Sequence, residues 1–135
     1  PQKINPNAMA GYFYEKTTHT MPVFINYIAP DKKRVGYTNE FLSNTLITAY
    51  SKSNRKLDSS DAKHIYNANK EQNKLYLFVR KPSEDKEAKE FYFLGEIIAQ
   101  GKPEFAPKYN GFKILYKLDT PVRADIFDYL TTVTV

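Results

Sequence analysis

The stretch Tyr50-Ser-Lys-Ser-Asn-Arg-Lys56 gathers a ring, hydroxyls, an amide and three cations into seven consecutive residues. Its chemistry is that of contact with a polyanion. Lys52 and Lys56 suit phosphate as point charges, whereas Asn54 and Arg55 carry paired polar atoms that can match a base edge at two points. Ser51 and Ser53 can donate to phosphate or base oxygens. Upstream, Lys32, Lys33 and Arg34 extend the same character. Between positions 32 and 56 six basic side chains face one acid, Glu40, and that local excess equals the formal net charge of the whole chain, +5. Charge concentrated in this way attracts phosphates and loses affinity as salt rises. The same composition also describes a solvated lysine-rich loop, so charge alone leaves both readings standing.

Aromatic residues are the second half of a nucleotide site, and eleven tyrosines and nine phenylalanines supply them amply. Most of Phe24, Tyr76, Phe78, Phe91, Phe93, Phe112 and Phe127 fall at positions expected to build the core. Tyr37, Phe41 and Tyr50 lie near the basic segment and outside clear strand phase, which makes them the candidates for stacking on a base. The alternative for these three is a satellite core under a long loop.

Other chemistries are poorly served. The chain has no cysteine, which removes thiolate nucleophiles, thiolate metal ligands and disulfides; its two histidines, His19 and His64, lack paired-ligand spacing. Five scattered glycines build neither a P-loop nor a dinucleotide fingerprint. Asp58, Asp61 and the acids at 84–90, with Glu96 and Lys81, contain the residue types of a metal-dependent nuclease but not the Asp-x(n)-Glu-x-Lys order. A binding domain is therefore expected rather than an enzyme, with no catalytic residues, metal ligands or cofactor. No apolar run reaches the roughly 18 to 20 residues of a membrane span and no signal-peptide pattern opens the chain, so a soluble, cytoplasmic protein with no membrane partner is expected.

The elements that must position these residues can be read from pattern. At 135 residues, 41% of them hydrophobic and 26% charged, one globular core is the default. Residues 1–7 hold two prolines without periodicity and read as a linker from upstream domains. Residues 22–28 and 75–80 are rich in β-branched and aromatic side chains and read as strands. Residues 91–99 read as a third, antiparallel to the second, with Gly95 marking a bulge or a close backbone approach. The intervening residues 81–90 are mostly charged and read as a solvent-facing loop. Residues 101–111, with two prolines and two glycines, read as another loop; 112–118 alternate as a half-buried strand. Asp58, Ser59, Ser60 and Asp61 can cap a short helix running to Tyr66, ended by Asn67 and Asn69. Thr120 and Pro121 should open a second helix to Leu130, with Val122, Ile126, Phe127 and Leu130 on its apolar face. These elements predict an α+β domain over residues 1–135.

Four segments also carry a resemblance: Arg34-Val-Gly-Tyr-Thr-Asn-Glu-Phe-Leu, Thr48-Ala-Tyr-Ser-Lys-Ser-Asn-Arg55, Leu75-Tyr-Leu-Phe-Val-Arg80 and Phe91-Tyr-Phe-Leu-Gly-Glu96. Together they resemble the C-terminal domain of unknown function of SauUSI-like type IV, modification-dependent restriction enzymes, in which a phospholipase-D-type nuclease and a superfamily 2 helicase lie upstream. The resemblance implies a curled β-sheet or small open barrel with flanking short helices, similar to SRA and PUA domains. It implies a target-recognition role on double-stranded DNA containing 5-methylcytosine or 5-hydroxymethylcytosine; base flipping is the expected mode of reading, since a methyl group in the major groove adds only a small apolar contact. In that role Tyr37, Phe41 and Tyr50 would form the modified-base pocket. Lys32, Lys33, Arg34, Ser51, Lys52, Ser53, Asn54, Arg55 and Lys56 would contact DNA. The upstream helicase and nuclease domains would be its partners. A protein-interaction module coupling those domains, without reading modified bases, is the alternative.

Overall fold

Strand alternation decides which side chains meet inside. The computed structural model describes residues 10–27, 39–52, 55–81, 91–107 and 110–132. Among these, seven strands form one mixed sheet: β1 (Ala10–Tyr12), β2 (Thr20–Asn26), β3 (Glu40–Ser43), β4 (Leu46–Tyr50), β5 (Lys74–Arg80), β6 (Tyr92–Ala106) and β7 (Gly111–Leu118). Their order is β1-β2-β5-β6-β7-β4-β3, and every neighbouring pair is antiparallel except β2 with β5. That parallel pair needs a long crossover, and the chain between its strands supplies β3, β4, α1 (Ser60–Tyr66) and α2 (Ala68–Glu71). A third helix, α3 (Ala124–Thr131), follows β7.

The sheet curls into a half-barrel with short helices, the α+β architecture expected. Two tyrosine hydroxyls tie its margins together. Tyr12 Oη, at the end of β1, accepts from Lys52 N just beyond β4 at 3.1 Å, and Tyr27 Oη, beyond β2, accepts from Phe41 N on β3 at 2.9 Å. Inside the curl, Leu75, Leu77 and Val79 of β5 meet Ile97 of β6, Phe112, Ile114, Tyr116 and Leu118 of β7 and Ile47 of β4, all essentially fully buried. Ala62 and Ile65, three apart on α1, and Leu130 of α3 close the open side. Burying each large aliphatic side chain contributes about 1.5–3 kcal/mol, so this cluster dominates the stability.

Several expectations are corrected by the structure. Residues 101–106 are strand, not loop: β6 continues to Ala106 against β7, with a register shift between Gln100 and Glu104. Pro103 is accommodated because β5 pairs with β6 only as far as Ile97, so this part of β6 has one neighbour and an open edge. The last helix begins at Ala124, not at Pro121, because the backbone before it is committed elsewhere: Val122 N donates to Asn44 O at 2.9 Å and its side chain is buried. The first helix spans Ser60–Tyr66 with Asn67 at its C-cap, but Asn69 lies within α2 and ends nothing. Ser59 makes no side-chain cap to that helix. The bulge at Gly95 is present: Leu77 faces Gly95 while Phe78 faces Phe93, which leaves Leu94 extra, and Gly95 has φ +93°. Finally, Tyr76, Phe78 and Phe93 are not part of the core inside the curl; since Leu75, Leu77 and Val79 take the inward positions of β5, parity sends Tyr76 and Phe78 to the outer face, where Phe24, of the same row, is nonetheless buried at 8% exposure as expected. The linker at 1–7 and positions 82–90 lie outside the described residues.

Candidate nucleic-acid interface

The end of β1, the segment leaving β4 and the first turn of α1 enclose a cleft of about 560 Å³. Its volume falls within the range of small-ligand sites. Three consecutive aromatics, Tyr12, Phe13 and Tyr14, line it together with Lys52, Arg55 and Lys56, and with Asp58, Ser59, Ser60, Asp61 and His64 supplied by α1 and its approach. Strand β1 ends at Tyr12, which pairs with Val23 while its hydroxyl reaches Lys52 and Asp61. The cations are there because β4 ends at Tyr50, and Ser51 pins the exit: its Oγ accepts from Phe112 N at 2.9 Å and donates to Lys52 O at 2.9 Å.

Asp61 organises the cleft. Its Oδ1 accepts from Ser59 Oγ and from Ala62 N at 3.2 Å; its Oδ2 accepts from Tyr12 Oη and from Arg55 Nε at 3.0 Å. A carboxylate has about four lone-pair directions, so Asp61 is fully committed to its own protein. Burial pushes its carboxyl up, but the hydrogen bonds from Ser59 and Tyr12 and the charge of Arg55 outweigh that and hold it below the ordinary value of 3.8. Burial and the adjacent carboxylate drive the Tyr12 hydroxyl the other way, so it stays a neutral donor. Arg55 meets Asp61 through Nε, which leaves its Nη groups outside that ion pair. Lys52 Nζ stands 4.8 Å from the Tyr12 ring centroid, within cation–π range. On the other side, Tyr14 stacks on His64 with centroids 3.8 Å apart and planes 10° from parallel, and its hydroxyl donates to Asn73 Oδ1 at 2.9 Å.

The cleft can therefore do two things chemically. Its cations offer charge to an anionic group, and the half-buried rings of Phe13 and Tyr14 offer aromatic surface beside them, with one face of Tyr14 already covered by His64. Of the residues singled out in the sequence, Lys52, Arg55 and Lys56 converge here. Ser51 is 1% exposed and serves the backbone. Phe41 is also buried, with its ring between Tyr27 at 4.9 Å and Phe127 at 5.6 Å, a core position rather than a base-stacking one. Tyr50 pairs with Lys113 on the sheet, half-buried and outside the cleft lining. Lys32, Lys33, Arg34, Tyr37, Ser53 and Asn54 lie outside the described residues. Sequence reasoning missed the aromatic lining itself. The run Tyr12-Phe13-Tyr14, three rings in succession, was the available signal.

Lys81 and Glu96 have structural partners: Lys81 Nζ donates to the carbonyls of Tyr129 at 3.1 Å and Thr132 at 2.7 Å at the end of α3, and Glu96 pairs with Lys74 at 3.6 Å. Among the described residues, no helix is long and apolar enough to cross a membrane.

Residues 1–130 match the model of a family described as a domain of unknown function (DUF3427). No curated protein matches the chain.

Proposed function

This chain belongs to the DUF3427 family, and we propose that it is a DNA-reading domain that receives a modified cytosine, flipped out of its duplex, in the cleft between β1 and α1. The observation that carries the reading is the cleft: the aromatic run Tyr12, Phe13 and Tyr14 and the cations Lys52, Arg55 and Lys56 line one space of nucleotide scale. The resemblance of the chain to the terminal domain of SauUSI-like restriction enzymes adds the cytosine mark, 5-methyl or 5-hydroxymethyl, and the upstream helicase and nuclease that would act on it. The curled sheet is compatible with the SRA/PUA-like architecture of that resemblance.

The energetics require an enclosing site. One methyl group moved into apolar surroundings is worth about 1 kcal/mol, while extruding a base costs a few kcal/mol. Stacking on an aromatic contributes about 1–3 kcal/mol per base, so the rings offset flipping and the cations supply affinity from flanking phosphates. Phe41, 8% exposed, has no part in the pocket, and Tyr12, 7% exposed and held by Asp61, lines it without offering a stacking face; Phe13 and Tyr14, both half-buried, take the stacking role first given to Tyr37, Phe41 and Tyr50.

The test is titration of the chain with duplexes that differ only in methylation of one cytosine. The modified duplex is expected to bind several-fold more tightly, with the preference lost in Tyr14→Ala. Equal affinity for both duplexes removes modification reading, and absence of binding to either removes DNA reading altogether.

A further inference from the structure

The outer face of the sheet carries rings where a solvated sheet would carry polar side chains. Phe24, Phe78 and Phe93 stand in one row across β2, β5 and β6, in register, with ring centroids 4.8 and 5.1 Å apart. Tyr76, the preceding outward residue of β5, lies 6.0 Å from Phe93. Phe93 is 59% exposed although it is one of the largest apolar side chains in the sheet. None of these rings is needed inside, since the core is already filled by the aliphatic residues of opposite parity.

Cations border the row. Lys74 is the next outward residue of β5, and exposed Lys117 of β7 pairs with Ile98, two residues along β6 from Glu96. The acid between them, Glu96, is held by Lys74 at 3.6 Å, which leaves Lys117 outside that pair. At its other end the row runs on to the cleft, for Phe13 lies 6.4 Å from Phe24 with planes 17° apart and also lines the cleft.

We propose that this face is a second nucleic-acid site, a platform on which unpaired bases of a single strand stack. The exposed Phe93 with the half-buried Phe78 and Tyr76, on adjacent central strands and flanked by lysine, is the arrangement by which sheet-based modules stack two or three bases of a single strand, with Phe24, 8% exposed, backing the row. Stacking needs ring faces and tolerates any base, while the flanking cations follow the phosphates. A docked protein would use the apolar area equally well but gains nothing from the bordering lysine. The platform adjoins the cleft through Phe24 and Phe13, but Phe93 does not line the cleft, and the platform does not depend on modified-base reading.

Fluorescence anisotropy of the chain with labelled oligothymidylate and oligouridylate tests it, and the tighter of the two identifies the natural strand. Phe93→Ala is expected to weaken binding about tenfold, the loss typical of one stacked base, and Phe93→Leu to weaken it comparably, while Phe93→Tyr retains it. The exposure of Phe93 makes all three variants compatible with folding, which circular dichroism checks. Failure of the unaltered chain to bind either strand overturns the proposal. So does Phe93→Leu binding as tightly as the unaltered chain, since apolar area without a ring would then suffice, as for a docked protein. Methylated-duplex preference, measured in the same Phe93 variants, is expected to be unchanged. A chain that discriminates duplexes but ignores both oligonucleotides defeats the platform alone, and one that binds oligonucleotides through Phe93 without discriminating duplexes defeats the cleft reading alone.

Discussion

Replacing Asp61 by alanine strips the cleft of its organising acceptor. Tyr12, 7% exposed, loses the acceptor of its hydroxyl proton, and Ser59 loses another. Hydrogen bonds to a charged group contribute about 1.5–3 kcal/mol each when buried. The Arg55 side chain is 40% exposed, so its ion pair with Asp61 adds less than about 1 kcal/mol. A loss of about 3 kcal/mol at pH 7 follows, against the roughly 5–15 kcal/mol of an ordinary domain. With a urea slope of about 1.5 kcal/mol/M, the midpoint should fall by about 2 M. The pH dependence has a definite sign. The Asp61 carboxyl titrates below its ordinary 3.8 in the folded chain, so its contribution is complete above that value and disappears as pH falls through the folded value. Urea melts of both proteins at pH 7 and near pH 3 measure the gap, which should shrink in acid. A gap below about 0.5 kcal/mol at neutral pH, or one that is the same in acid, refutes the role assigned to Asp61.

Three other outcomes are expected. Tyr116→Phe removes a fully buried hydroxyl that has no hydrogen-bond partner among the described residues and whose burial raises its pKa; denaturant melts should show stability unchanged or raised by about 1 kcal/mol, and a loss of that size would mean that the hydroxyl is bonded. Gly95→Ala meets open space, so its cost is conformational: φ of +93° should make the variant about 1–2 kcal/mol less stable by thermal melting, whereas an unchanged melting temperature would show that the bulge relaxes. Lys52→Ala should weaken all duplexes alike and lower the slope of log affinity against log salt by about one; an unchanged slope places phosphate elsewhere.

What the sequence disclosed follows from range. Residues 75–80 and 112–118 announce themselves because each strand is patterned by its own neighbours, and the bulge is visible because glycine within an apolar run has few other reasons to be there. The extension of β6 to Ala106 was hidden because proline and glycine are local signals, whereas tolerance of Pro103 depends on β5 ending alongside it. Likewise Pro121 starts helices locally, but here Val122 is claimed by Asn44 from the β3–β4 turn. The cationic side of the cleft was legible in part, because Lys52, Arg55 and Lys56 are neighbours in the chain. Its aromatic side was not, since Tyr12 reaches Asp61 across 49 positions and only the curl of the sheet brings them together. Aromatics near a basic run in sequence proved a poor guide: Phe41 is drawn into the core by Tyr27 and Phe127.

The most direct measurement is the backbone amide spectrum of the isotopically labelled chain, recorded as a duplex bearing one methylated cytosine is added. If the cleft receives the flipped base, the amides of Tyr12, Phe13, Tyr14, Lys52, Arg55 and His64 shift most, and they shift less with the unmodified duplex. Shifts confined to other surfaces, with these six unmoved at saturation, would contradict it.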